Sequence, residues 1–206
     1  MKIAIIGSGN VGGTLGRRWA KNGHSVTFSS RNPQSEEMKK LTAESGTTAG
    51  TVAEAVRSSD VVLLATPWDS TKAAVESAGD LAGKVIIDAI NPLTPQLTLA
   101  LGITTSAGEQ VASWAQGAKV VKAFNTIGAT VMANTDFGGR RPVLFYCGDD
   151  ASAKKTVHDL AAELGFDPND AGPLTQARVL EPFAQLWISL AFGGYGQGIA
   201  FQFLRR

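Results

Sequence analysis

Short apolar runs alternate along most of the chain with segments whose apolar residues recur every three or four positions. The runs predict strands at Lys2–Ile6, Ser25–Ser29, Asp60–Thr66, Lys84–Ala89, Ala118–Phe124 and Pro142–Cys147, with a weaker extended segment at Thr47–Gly50. Ile3-Ala4-Ile5-Ile6 and Val61-Val62-Leu63-Leu64 are uninterrupted, the pattern of strands covered on both faces in a parallel sheet. Helical periodicity falls between them, at Asn10–Asn22, Ser35–Ser45, Val52–Ser58, Ser70–Leu81 and Glu109–Gln116. This alternation predicts an α/β fold, a Rossmann-type doubly wound and mostly parallel sheet with helices on both faces. Beyond the Gly148-Asp149-Asp150 turn a further helix is predicted at Ala151–Leu164, then a turn-rich stretch, Phe166–Pro173. The remainder, Leu174–Leu204, is apolar and almost uncharged between Glu181 and Arg205. The expected division is a nucleotide-binding domain over residues 1–173 and a helical C-terminal extension over 174–206. The extension needs cover from the domain, a ligand or a second copy of the chain, and a homodimer is the leading expectation.

Composition narrows the class. The 206 residues suffice for one α/β domain plus an appendage, and 44% hydrophobic with 18% charged residues describes a folding chain. A net charge of +1 provides no broad field for nucleic acid or an anionic membrane. The single cysteine, Cys147, has no internal disulfide partner, and Met1-Lys2 leads directly into the first strand. Both features predict a soluble cytoplasmic protein. The apolar segment Phe183–Phe192 is too short to span a bilayer.

The first predicted strand ends in Gly7-Ser8-Gly9-Asn10-Val11-Gly12, a G-x-G-x-x-G match. With 23 glycines in the chain the match alone is weak, but its position between a strand and a helix is the one the chemistry requires. Gly7 permits the tight turn, Gly9 lets backbone approach a pyrophosphate, and Gly12 allows close helix–strand packing. The helix N-terminus then presents free N–H groups and partial positive charge to the phosphates. At the end of the second strand an NAD site places an acid for the ribose 2′-hydroxyl. Here the residues are Ser29-Ser30-Arg31-Asn32, two hydroxyls and a guanidinium with no carboxylate. That set suits a 2′-phosphate, so the expected dinucleotide is NADP(H).

Ligands of open α/β sheets lie outside the carboxyl ends of the strands. Three more such ends carry Thr66-Pro67-Trp68-Asp69, Asn91-Pro92 and Asn125-Thr126-Ile127-Gly128. Pro67 stops the strand, Trp68 either walls the cofactor cleft or packs internally, and Asp69 is read as the cap of the following helix.

Taken in order, GSGNVG, SSRNP, TPWDS, DAINPL, KAFNTIG, CGDD and DAGPLTQARVLE resemble the NADPH-dependent reductases of the deazaflavin coenzyme F-420 (also written F420). They also resemble the oxidoreductase domains of the six-transmembrane metalloreductases. The resemblance covers essentially the whole chain. It implies NADPH lying across Gly7–Gly12, Ser30-Arg31, Thr66-Pro67-Trp68 and Asn91-Pro92, with an acceptor ring stacked near Asn125-Thr126-Ile127 and the C-terminal segment. At Asn125 and Gly128 the chain departs from the archaeal F-420 enzymes, which carry histidine and proline there, and is nearer the metalloreductase-like branch.

Residue supply limits the chemistry. No H-E-x-x-H or Cys/His cluster offers a metal site, and no G-x-S-x-G turn presents a nucleophile. His24 abuts the second strand, His158 lies in a predicted helix away from the strand ends, Tyr146 lies inside a strand, and Tyr195 falls in a glycine-rich turn. Carbonyl reduction needs a proton donor beside the acceptor carbon, whereas a flavin or deazaflavin ring takes its proton from solvent. The reaction expected is hydride transfer between NADP(H) and a small-molecule acceptor of flavin type, F-420, FMN or FAD. Asn125 and Thr126 would position rather than protonate. Ferric or flavin reduction and non-catalytic NADPH sensing are the alternatives.

Overall fold

The computed structural model describes residues 1–206. In chain order the elements are β1 (Lys2–Ile6), α1 (Asn10–Lys21), β2 (Ser25–Ser29), α2 (Glu36–Ser45), β3 (Thr48–Gly50), α3 (Val52–Arg57), β4 (Val61–Leu64), α4 (Trp68–Glu76), β5 (Val85–Asp88), α5 (Ala107–Trp114), β6 (Lys119–Lys122), α6 (Ala129–Ala133), β7 (Val143–Gly148), α7 (Ala151–Ala162), β8 (Asp167–Asp170) and α8 (Ala177–Leu190). A 3-10 turn, Leu174–Gln176, leads into α8, and a wide π-type turn, Ala191–Tyr195, leaves it.

The two uninterrupted apolar runs, β1 and β4, pair at the centre of one eight-stranded sheet of order β3-β2-β1-β4-β5-β6-β7-β8. All neighbours run parallel except β6 and β7, which pair antiparallel through Lys122 and Cys147. Alternate residues supply opposite layers, as the pleat requires. Ile3, Ile5 and Leu63 meet Trp19 of α1 and Leu160 of α7, while Ala4, Ile6, Val62 and Leu64 meet Val75 of α4 and Val111 of α5. Each large side chain removed from water in this way contributes about 1.5–3 kcal/mol. Arg18 locks α1 in place by donating to the carbonyls of Met132 (2.8 Å) and Leu164 (2.9 Å).

Several boundaries differ from those the sequence predicts. Helix α4 begins at Trp68 and ends at Glu76 rather than spanning Ser70–Leu81. Strand β6 stops at Lys122 because Phe124 adopts a left-handed backbone, φ 65°, that no strand accommodates. The stretch read as turns contains β8, whose sequence DPND lacks any strand pattern and which exists through its backbone pairing with β7. Helix α6, five residues long, is too short to leave a period. No helix of the chain is long and apolar enough to cross a membrane.

Candidate active site

The sheet order reverses between β1 and β4, and the β1–α1 turn crosses that crevice. Gly7 sits at φ 102°, and a Cβ there would lie 2.4 Å from the Ala65 carbonyl oxygen. Only glycine lets the ends of β1 and β4 come this close. A Cβ on Gly12 would fall 1.9 Å from the Gly7 carbonyl oxygen, so the helix can start directly under the turn only without a side chain. Gly9 has open space where its Cβ would be, occupies the N-cap of α1, and supplies no capping side chain. The first amides of α1, at Asn10, Val11 and Gly12, are therefore offered outward to an anion.

A cleft of about 490 Å³ opens at this point. Of the residues predicted for the site, Gly7, Ser8, Ser29, Ser30, Arg31, Thr66 and Pro67 line it. Arg31 is exposed at its rim, and Ser30 is held on β3 by its amide bonding to the Gly50 carbonyl at 2.9 Å. The far wall is a stripe of small residues, Ser70, Ala73 and Ala74 on α4 and Ser77 at its C-cap, with Val52 of α3 also lining the cleft. These wall residues escape a search for motifs. Their spacing of i, i+3, i+4, i+7 on one helical face was the available signal, and their small size is what leaves room for a flat ring.

Trp68 does not line this cleft. Its indole stacks on Trp114 of α5, with centroids 5.5 Å apart and planes 27° from parallel. The strand end thus places a bulky ring where α4 and α5 meet, the internal packing that is one of the two readings of this residue. Asp69 does not cap α4 either: Pro67 holds the N-cap position, and Asp69 is exposed in the first turn, where its charge suits the helix dipole.

Asn91, Pro92, Asn125 and Thr126 lie outside this cleft, on the loops that follow β5 and β6 further along the same strand-end edge. The two asparagines are joined reciprocally: Asn91 Nδ2 donates to the Asn125 carbonyl (2.8 Å), and Asn125 Nδ2 donates to Asn91 Oδ1 (3.2 Å). Asn125 Nδ2 also donates to the Leu180 carbonyl of α8 at 3.0 Å. Its Oδ1 is buried without a partner. An unpaired buried acceptor costs about 1–3 kcal/mol. Phe124, wedged edge-on between Trp19 and Phe166, holds the left-handed turn that aims this residue.

Directly beneath lies a cluster that motif reading does not reveal. Lys122 Nζ sits 3.0 Å from Asp88 Oδ2 and 2.8 Å from Glu181 Oε1, all three side chains fully buried. Glu181 also accepts the first amides of α5, from Ala107 (3.0 Å) and Gly108 (3.1 Å), while Asp88 accepts from the Ile90 amide (2.9 Å). Burial works to lower the Lys122 pKa, but the two carboxylates outweigh it and hold the ammonium above its ordinary range. A network satisfied on every side is rigid and specific.

The other ionisable candidates stay out of the site. His24 bonds Glu163 at 2.9 Å, and His158 faces the Tyr146 hydroxyl at 3.3 Å. Burial pushes the Cys147 thiol up to about 12, so it is no nucleophile. No group of His, Cys, Asp and Glu is arranged to hold a metal ion.

The residues present fit a dinucleotide: a turn in which a Cβ at Gly7 or Gly12 would strike backbone, open space over Gly9, free helix amides for the pyrophosphate, and a buried acceptor left unpaired beyond it. A parallel sheet with this turn at its reversal point defines a Rossmann-type dinucleotide-binding protein. Residues 2–92 match the family described as NADP oxidoreductase, coenzyme F420-dependent. A solved structure from Arthrobacter sp. FB24, provisionally assigned as an F420-dependent NADP reductase, is 33% identical with a TM-score of 0.91 over 100% of both chains. The chain belongs to this family of NADP-dependent oxidoreductases. It is also 36% identical over 87% of its length to Metalloreductase STEAP3 of Rattus norvegicus, and 26% identical over 87% to Metalloreductase STEAP2 of Homo sapiens. The chain spans about a third of those two relatives, 36% and 35% of their lengths.

Proposed function

We propose that the protein transfers a hydride between NADP(H) and a flavin-like acceptor, with the deazaflavin F-420 as the leading candidate. The observation that carries this reading is a dinucleotide cradle opening on a cleft whose lining includes no His, Tyr, Lys, Asp or Glu. The pyrophosphate would rest on Gly7–Gly12, the 2′-phosphate against Ser29, Ser30 and Arg31, and the adenosine between Val52 and the small-residue face of α4. Thr66 and Pro67 would guide the chain toward Asn91, Pro92, Asn125 and Thr126. When bound, the reduced nicotinamide supplies the hydride. The chain's own part is to hold two flat rings in contact, with Asn125 and Thr126 as positioning groups and water as the source of the remaining proton.

The metalloreductase relatives favour a second reading, in which a flavin passes the electron pair onward to ferric ions one at a time. One assay separates the two. The purified chain is mixed with NADPH and, separately, with F-420, FMN, FAD and ferric chelates, and loss of the reduced-nicotinamide absorbance is followed. Turnover with F-420 supports the first reading, and turnover only with flavin plus ferric chelate supports the second. Tight NADPH binding without oxidation by any acceptor overturns both and marks a cofactor-sensing protein. The exposed apolar side chains Val179, Leu186, Phe192 and Tyr195 on and beyond α8 support the homodimer expectation, which a monomer mass in sedimentation would overturn.

A further inference from the structure

The Asp88–Lys122–Glu181 cluster has no place in the hydride step as proposed, yet it joins every segment that meets at that end of the site. Asp88 ends β5 two residues before Ile90-Asn91, and Lys122 ends β6 three residues before Asn125. Glu181 comes from α8 and seals the N-terminus of α5. Lys122 also donates to the Ile90 carbonyl, so all three of its protons are used, and the backbone just before Asn91 is held as firmly as that before Asn125. One turn of α8 carries both Glu181, bonded to Lys122, and the Leu180 carbonyl, bonded to Asn125 Nδ2.

We propose that Lys122 and Glu181 are positioning residues for hydride transfer: through them α8 sets the Asn91–Asn125 pair and the backbone of the two loops that carry it. A buried ammonium between carboxylates is a poor source of net stability, and apolar residues of equal volume often serve as well. What it supplies is a fixed geometry across three elements whose sequences are remote from one another. This inference rests on the proposed hydride transfer only for its kinetic arm.

The test uses the full chain with Glu181→Gln. Lys122 remains paired with Asp88, so no buried charge is stranded, while the grip of α8 on Lys122 is weakened. Arg178→Ala is the control: the Arg178–Glu109 pair, at 2.6 Å, also ties α8 to α5 but touches nothing in the cluster. In the ligand-free protein, the side-chain NH2 signals of Asn91 and Asn125 are assigned by their aspartate variants. They are expected to shift and exchange faster with solvent in E181Q and to stay unchanged in R178A. With the acceptor that turns over, kcat is expected to fall roughly 10- to 100-fold in E181Q, as misplacement on the ångström scale does. NADPH affinity is expected to hold within about twofold, because the adenosine and phosphate contacts are remote. Unchanged asparagine signals in E181Q overturn the inference whether or not any acceptor is found. So does an R178A protein that reproduces the E181Q losses, since general loosening of α8 would then account for them. Absence of turnover in the wild type, with the signal changes intact, overturns the hydride-transfer reading and leaves the structural coupling standing.

Discussion

Arg31 and Trp68 follow β2 and β4 at the same strand-end edge of the sheet, and the same kind of sequence signal led to different outcomes. Arg31 lines the cleft beside Ser29 and Ser30, where a charged hydrogen bond to a 2′-phosphate contributes about 1.5–3 kcal/mol. Arg31→Ala is therefore expected to weaken NADPH roughly 10- to 100-fold in a calorimetric titration while leaving NADH nearly untouched. Equal losses for both nucleotides would remove the 2′-phosphate from this corner. Trp68 was legible as a residue of consequence, but its sequence position does not say which way the ring turns. Its stack on Trp114 decides that. Trp68→Leu is expected to lower thermal stability by about 1 kcal/mol, the scale of a lost aromatic pair, with NADPH affinity unchanged. A marked loss of affinity would return the indole to the cofactor.

At the scale of elements, local chemistry was readable where side chains act on their own backbone. Thr51 and Glu54 close a capping box on α3, and Ser35 and Asp150 cap α2 and α7, each visible as a short polar residue before a periodic run. Asp150 is the pH-sensitive case. Hydrogen bonds from Ser152 and the Ala153 amide, with Lys119 beside them, lower its carboxyl from 3.8 to about 2. A depressed carboxylate stabilises the fold fully above its unfolded value and loses that contribution as the pH falls through its folded one. Asp150→Asn is therefore expected to melt earlier than the wild type at neutral pH, with the gap closing between pH 3.8 and about 2 in a series of thermal scans. A gap that persists at pH 2 would assign the effect to shape rather than charge. Strand β8 and helix α6 were not legible, because neither carries enough apolar period to register; β8 follows from the exposed edge of β7 and α6 from its packing on α1.

Across the whole molecule, the expected boundary at residue 173 meets a cluster that spans it. Glu181 lies beyond the boundary and Asp88 and Lys122 before it, and Ala177 and Leu180 cover Cys147. A chain ending at residue 173 takes Glu181 away, leaving the Ala107 and Gly108 amides without their acceptor and the Lys122–Asp88 pair uncovered. Each buried donor left without its acceptor costs about 1–3 kcal/mol, against a total stability of about 5–15 kcal/mol for a domain. The truncated chain is expected to lose its cooperative melting transition and to bind a hydrophobic dye. A sharp transition near that of the full chain would show that residues 1–173 fold independently of the extension.

The residue order by itself determined the alternation of strands and helices, the glycine turn over the first helix and the guanidinium beside the second strand. Each of these is written in neighbouring residues, whose period, size and charge act over a few ångströms of chain. Only the tertiary structure decided the direction of Trp68, the left-handed turn at Phe124, the pairing of Asn91 with Asn125 and the burial of Lys122 between Asp88 and Glu181. These depend on groups that the sheet order brings together from distant parts of the chain. Charge in the interior has meaning only once its partners arrive.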